Sequence, residues 1–254
     1  MKLNFFSNAD RASKYVAKNI AECISINNSR NERTVLGLAT GNTPIQVYNE
    51  LISYYKQGLS FVNVITFNLD EYYPMNASRK ESYHTYMDEH FFDHVDVPRE
   101  NIHIPNGTLP GDMVKEYCNE YENKIREVGG IDIQLLGIGR TGHIGFNEPN
   151  STKDSKTRLV YLDKKTCEDA AKDFNGIDNV PKMAITMGIS TILSAKKIYL
   201  LSFGSRKAEI TKECLFGEVT SDRPASFLQG EEAVEIVLDE KAGMLIHRNK
   251  NKLT

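Results

Sequence analysis

Residues 132–149 read DIQLLGIGRTGHIGFNEP, an apolar run that ends in Gly137-x-Gly139-x-x-Gly142. The run is apolar throughout rather than alternating, which predicts a strand covered on both faces, as in a parallel sheet. Glycines at its carboxyl end predict a turn whose backbone approaches a ligand closely. Dinucleotide-binding turns share this pattern, but they need a helix directly after the last glycine and an acidic residue roughly 20 positions on. Asp163 meets the second condition. The first fails, because HIGFNEPNSTKDSKT (143–157) carries Pro149 and has no helical period. The NAD reading is therefore disfavoured. What remains is a glycine-lined strand end that presents His143, Asn147 and Glu148.

The same alternation extends in both directions. ADRASKYVAKNIAECI predicts a helix with Ala12, Val16, Ile20, Cys23 and Ile24 on one face. RTVLGLAT is a buried strand, TPIQVYNELISYYKQG a helix with Tyr48, Leu51, Ile52 and Tyr55 inward, and VNVITF the next strand. GDMVKEYCNEYENKIREVGG is a helix, with Asp112 as its cap and Gly129 as its stop. TRLVYL and KKIYLLSFG read as strands, PKMAITMGISTILSA as a helix, and AVEIVLD as a half-exposed strand. No repeat or Pro/Gly/Ser linker divides the chain. The expectation is an α/β, three-layer Rossmann-like fold, its mostly parallel central sheet flanked by helices, in one domain over 1–254.

Composition narrows the partners. A formal charge of −3 over 254 residues gives no general attraction for a polyanion, so nucleic acid is not expected and any anion must be held by a few placed groups. The N-terminal MKLNFFSNADRASKYV lacks the apolar core of a signal peptide, and no apolar run nears the ~20 residues of a membrane span. Cys23, Cys118, Cys167 and Cys214 are scattered and read as reduced thiols. A cytoplasmic protein is expected, and homo-oligomerisation is left open.

Ligands of such folds gather at the carboxyl ends of strands. After VLGLA, Thr40-Gly41-Asn42-Thr43-Pro44 leads into a helix, with Thr43 as cap and Pro44 as first helical residue. Backbone N–H groups there suit a phosphate, although an ordinary capped turn reads the same way. Without a G-K-[ST] no Walker motif is present, so ATP is not implied. Gly204-Ser205-Arg206-Lys207 is a second anion candidate, as is a plain solvated basic pair. Between them, Asp70 and Glu71 follow VITFNL at an apolar boundary, where burial raises a carboxylate's pKa and makes a general base. Neighbours on an extended segment point oppositely, so one of the two faces the site. His143 and Glu148 form a proton-transfer pair. His90-x3-His94 lacks a third ligand and predicts no metal site.

Taken together, GLATGNTP, FNLDEYY, GIGRTGHIGFNEP, SKTRLVYL, VPKMAITMG and FGSRKA resemble the glucosamine-6-phosphate deaminases, relatives of the 6-phosphogluconolactonases, from about residue 30 to residue 210. That resemblance implies conversion of glucosamine 6-phosphate to fructose 6-phosphate and ammonia, in amino-sugar and N-acetylglucosamine catabolism, with no metal, nucleotide or other cofactor. It implies that His143, supported by Glu148, opens the sugar ring and that Asp70 shuttles a proton between C2 and C1. Thr40, Gly41, Asn42, Thr43, Glu71 and Gly139 would line the substrate, and Lys207 would bind its phosphate. Lys172, in AAKDFNG, would stand for a lid arginine, on a mobile lid around 160–182. The alternatives are a related sugar-phosphate isomerase, a lactonase-like hydrolase, or a sugar-phosphate sensor with little turnover. Two departures matter. Thr141 stands where the family has Asp or Asn, leaving His143 less basic, and Val160 stands where allosteric members have lysine, so activation by N-acetylglucosamine 6-phosphate is not expected.

Overall fold

The computed structural model describes residues 1–250, and side-chain surroundings for 1–246; the single-domain expectation over 1–254 thus reaches four residues outside the described ones. In chain order the strands are β1 (Lys2–Phe6), β2 (Thr34–Leu38), β3 (Val64–Asn68), β4 (Asp70–Tyr73), β5 (Ile102–His103), β6 (Ile133–Gly137), β7 (Arg158–Tyr161), β8 (Met183–Thr186), β9 (Lys197–Ser202) and β10 (Val234–Asp239). The helices are α1 (Ala9–Ser29), α2 (Ile45–Lys56), α3 (Tyr83–His90), α4 (Val114–Glu127), α5 (Lys164–Ala170), α6 (Ile189–Leu193), α7 (Ala208–Phe216) and α8 (Glu240–Lys250).

Seven strands form one parallel sheet in the order β1-β10-β9-β6-β2-β3-β5. Side chains alternate across it. Val35, Leu136, Ile198, Leu200 and Ile236 face a core shared with α4, α7 and α8. Leu36, Leu135, Tyr199 and Val237 face the opposite core with α1 and α2. Burial on both faces is why these strands read as unbroken apolar runs. Each such side chain contributes roughly 1.5–3 kcal/mol on leaving water. The result is the three-layer α/β arrangement expected. Among the described residues, no helix is long and apolar enough to cross a membrane.

A second sheet, β4-β8-β7, is antiparallel. Leu69 joins the two: its N–H donates to Leu38 O in the large sheet and its O accepts from Met187 N beyond β8. β8 corrects one expectation, because PKMAITMGISTILSA is not one helix. Its first half is a strand between β4 and β7, and only Ile189–Leu193 is helical. Gly188 enforces the break: a Cβ there would fall 2.1 Å from the Ser155 carbonyl oxygen, so the chain must turn where it crosses that loop. β10 corrects another. It is wholly buried rather than half-exposed, and the apparent alternation came from Glu235, whose carboxylate pairs with Lys197 and accepts from Tyr15.

Two caps also differ. α4 begins after Met113 with no side-chain cap, so Asp112 does not serve as one; Gly129, at φ +91°, does follow its end. Pro44, in helical conformation, occupies the cap position of α2, one residue later than expected for a Thr43 cap, and Thr43 makes no capping hydrogen bond. Phe91 and Phe92 are buried as anchors, with His94 at the surface.

Candidate active site

Strand order reverses between β2 and β6, since the chain proceeds outward from β2 to β3 but from β6 to β9 on the other side. Crevices of this kind open at the carboxyl ends of the diverging strands. A cavity of about 180 Å³ lies there, reached by Thr40–Thr43 after β2, Asp70 after β3, and Gly139 and His143 after β6. A second cavity, about 460 Å³, shares Gly41, Asn42 and Tyr83 with it and is lined by Lys172 on its far side.

At the β2 tip, Gly41 has φ +85°, and the N–H groups of Gly41, Asn42 and Thr43 meet no protein acceptor among the described residues. These donors sit just before the N-terminus of α2, where the helix dipole also favours an anion. The second anion candidate divides. Gly204 N–H is taken by the Asp239 carboxylate (3.0 and 3.1 Å), and Arg206 is exposed. Lys207 reaches inward instead, donating to Ile138 O at 2.8 Å, beside the β6 tip. Burial lowers its pKa, opposed by Asp169.

At the β3 tip the adjacent carboxylates part, as expected for an extended segment. Asp70 faces the cavity, while Glu71 turns away and does not line it. Glu71 accepts from Ser82 Oγ (2.6 Å) and from Tyr83 N (2.9 Å) and Tyr72 N (2.9 Å), so it fixes the start of α3. Burial, and then the Glu71 charge, push the Asp70 carboxyl up to about 8, although the Phe146 N–H opposes this. Asp70 is 5% exposed, so the charged form meets little water.

The loop after β6 wraps onto both. No helix follows Gly142; the chain runs irregularly to β7, which disposes of the dinucleotide turn. Gly139 lies flat under the imidazole, since a Cβ there would overlap His143 Nε2 at 2.0 Å. Gly145 (φ +57°) brings the loop against Asp70, whose Oδ2 is 3.1 Å from where a Cβ would stand. Only glycine permits both approaches. On the far edge of the ring, His143 Nδ1 lies 2.9 Å from Thr141 Oγ1 and 3.2 Å from Glu148 Oε2. The carboxylate's oxygens are poorly directed for a hydrogen bond, so the Thr141 hydroxyl is the better partner. Asn147 is fully buried; its Nδ2 donates to Ile144 O and Met187 O, and its Oδ1 accepts from Arg158. It is a brace for the loop.

The sequence reading missed Tyr83 and Thr186. Tyr83 lines both cavities and hydrogen-bonds through its hydroxyl with Thr40 and Tyr72. Ser82, which caps α3 by accepting from His84 N, marks the helix start in the sequence but not its place over the site. Thr186, paired with Asp70 across β4 and β8, accepts from Phe146 N and was hidden by the helical reading of that segment. Apart from these, Arg158 and Val160 line a separate cavity of about 280 Å³. There the Arg158 guanidinium already donates to Asn147 and to Ser151 Oγ (2.9 Å each). Among the described residues, no group of three or more His, Cys, Asp or Glu converges as a metal site.

Comparison with known proteins agrees with this geometry. The family profile for glucosamine-6-phosphate isomerases/6-phosphogluconolactonase matches residues 7–237. A glucosamine-6-phosphate deaminase of Clostridium botulinum (strain Alaska E43 / Type E3) is 44% identical over 254 residues, the whole of both chains. A glucosamine-6-phosphate deaminase-like protein of Bacteroides thetaiotaomicron is 44% identical over 96% of this chain, which spans only 37% of that longer protein. The solved structure of a monomeric glucosamine-6-phosphate deaminase superposes with a TM-score of 0.91 at 42% identity, covering 96% of this chain and 100% of that one. The chain belongs to the glucosamine-6-phosphate isomerase/6-phosphogluconolactonase family.

Proposed function

We propose that this protein is a glucosamine-6-phosphate deaminase, converting glucosamine 6-phosphate and water to fructose 6-phosphate and ammonia in the cytoplasm. The observation that carries the reading is that the Asp70 carboxylate and the His143 ring open onto one cavity whose wall includes Gly41, Asn42 and Thr43. The names of the relatives described above support it.

In this reading the phosphate is held by the N–H groups of Gly41, Asn42 and Thr43 and by the Lys207 ammonium. Anchoring a remote group orients C1 and C2 against the reactive side chains. His143 moves a proton to or from the pyranose oxygen through the nitrogen above Gly139, while Thr141 and Glu148 steady the ring from Nδ1. Asp70 then takes the C2 proton and returns it to C1, leaving C1 as a carbinol and C2 as an iminium carbon. Water adds at the now electrophilic C2 and ammonia departs. A carboxylate with an affinity for protons near neutrality suits both halves of that shuttle. Residues 160–182 serve as a lid over the two cavities, with Lys172 the cation it carries to the substrate. Residues 1–254 act as one domain.

The test is release of ammonia and fructose 6-phosphate from glucosamine 6-phosphate by the purified protein and by Asp70→Asn, with galactosamine and N-acetylglucosamine 6-phosphates in parallel. Equal rates for wild type and Asp70→Asn would remove Asp70 from the mechanism. Thermal stabilisation by the sugar phosphate without ammonia release would make the protein a sensor.

A further inference from the structure

Three oxygens crowd one nitrogen at this site, and the third comes from a different element. Thr141 and Glu148 belong to the same loop as His143. Thr166 Oγ1, 3.5 Å from His143 Nδ1, is carried by α5, in the segment between β7 and β8. Thr166 is buried although most of α5 faces solvent, so this hydroxyl is aimed inward at the imidazole. α5 has only seven residues, capped by Asp163, which accepts from Lys165 N at 2.8 Å. A helix so short is held by its contacts rather than by its own propensity.

Those contacts lead back to the loop after β6. Arg140 Nε donates to Asp169 Oδ2 at 2.8 Å, and its Nη2 donates to Lys165 O at 3.2 Å and lies 3.5 Å from Glu168 Oε2. The arginine thus clasps α5 along one side, one residue from Thr141. The guanidinium is half-exposed, and an exposed ion pair is a weak tie.

We propose that Thr166 is a positioning residue for His143, lowered onto Nδ1 by α5 and kept there by the Arg140 clasp. A hydroxyl can accept from Nδ1–H or donate to an unprotonated Nδ1. A second hydroxyl at this nitrogen therefore steadies the ring in either state, at the one position where Thr141 supplies no charge. Docking of α5 and orientation of the imidazole become a single event, so His143 is fully aligned only when the site is covered. Because the kinetic part rests on the deaminase reading, a readout independent of turnover is needed.

The experiment uses the full-length protein with Thr166→Val, Thr166→Ser and Arg140→Ala, ammonia-release kinetics, and 15N resonances of the His143 ring in the unliganded state. Thr166→Val is expected to lower kcat on the order of tenfold with KM little changed, as supporting partners of reactive groups do. The 15N shifts of the ring should move in that variant and return in Thr166→Ser, and Arg140→Ala should move them the same way by less. Unchanged ring shifts in Thr166→Val overturn the proposal, whether or not the wild type turns over. Wild-type kcat in Thr166→Val overturns it too. Absence of turnover in the wild type refutes the deaminase reading alone and leaves the ring shifts to decide this one. If the valine variant does not fold, Thr166→Ala carries the same readouts.

Discussion

The two sheets solve different problems at one site. The parallel sheet ends in backbone: unpaired N–H groups after β2 and flat glycines after β6, polar surface that a ligand can approach. The small antiparallel sheet ends in a buried side chain, with Asp70 against Thr186 and the Phe146 N–H and little water. The first offers backbone donors that need no unusual charge state, and the second shifts the charge state of a carboxyl. Placing them edge to edge at Leu69 puts an anion cradle beside a carboxyl that is loath to ionise. This difference implies that substrate grip and the proton transfer at C2 should fail separately when each sheet is damaged.

The most damaging change should be Asp70→Asn, which is expected to lower kcat by about 10²–10⁴ through loss of the base. It should also stabilise the fold. Because the folded carboxyl titrates at about 8 rather than near 3.8, the native state binds the extra proton, and wild-type stability falls as pH rises from about 4 to about 8. The melting-temperature advantage of Asp70→Asn should grow across that window and level off above it; a constant difference would mean that Asp70 is not buried as described. For the same reason wild-type kcat/KM should rise with pH through about 8, as the free-enzyme base loses its proton.

Damage to the parallel sheet should look different. Lys207→Ala is expected to raise KM for the sugar phosphate about 10–100-fold, the worth of a charged hydrogen bond, with a smaller change in kcat. Leu36→Ala should cost about 2–5 kcal/mol of stability, measured by urea unfolding, and leave kcat of the folded fraction intact. Ile185→Ala, in the small sheet next to Thr186, should lose stability and kcat together. If both apolar variants behave alike, the division between the sheets is wrong. Glu71→Gln should have the mildest catalytic effect: without that neighbouring charge Asp70 loses its proton more readily, so the alkaline rise of kcat/KM moves to lower pH.

Legibility in the sequence followed the same division. Strands such as VLGLA and IQLLGI were readable because a two-faced core demands unbroken apolar runs, and the tips after them could be found by position alone. The small sheet was readable only at β7, where TRLVYL reads as a strand; β4 and β8 were not. Its strands are four residues each, and MAIT has no period long enough to separate strand from helix. With it went Thr186. The resemblance places Glu71 with the substrate, and the sequence could not show that its partners are amides and a serine hydroxyl that become neighbours only when α3 folds back over β4. β10 misled for a similar reason, since a glutamate in a strand reads as a solvent-facing position until a lysine and a tyrosine from distant elements are found around it.

The position of β10 also bears on how the chain is made. Among the described residues, Lys2–Phe6 pairs with one strand, Val234–Asp239, which itself lies between β1 and β9. During synthesis β1 therefore cannot enter its ladder until β10 has been made, and it waits while the strands from β2 to β9 assemble. Closure of that edge follows the rest of the sheet, and a ribosome stalled before residue 234 would hold a nascent chain whose β1 has no strand to pair with.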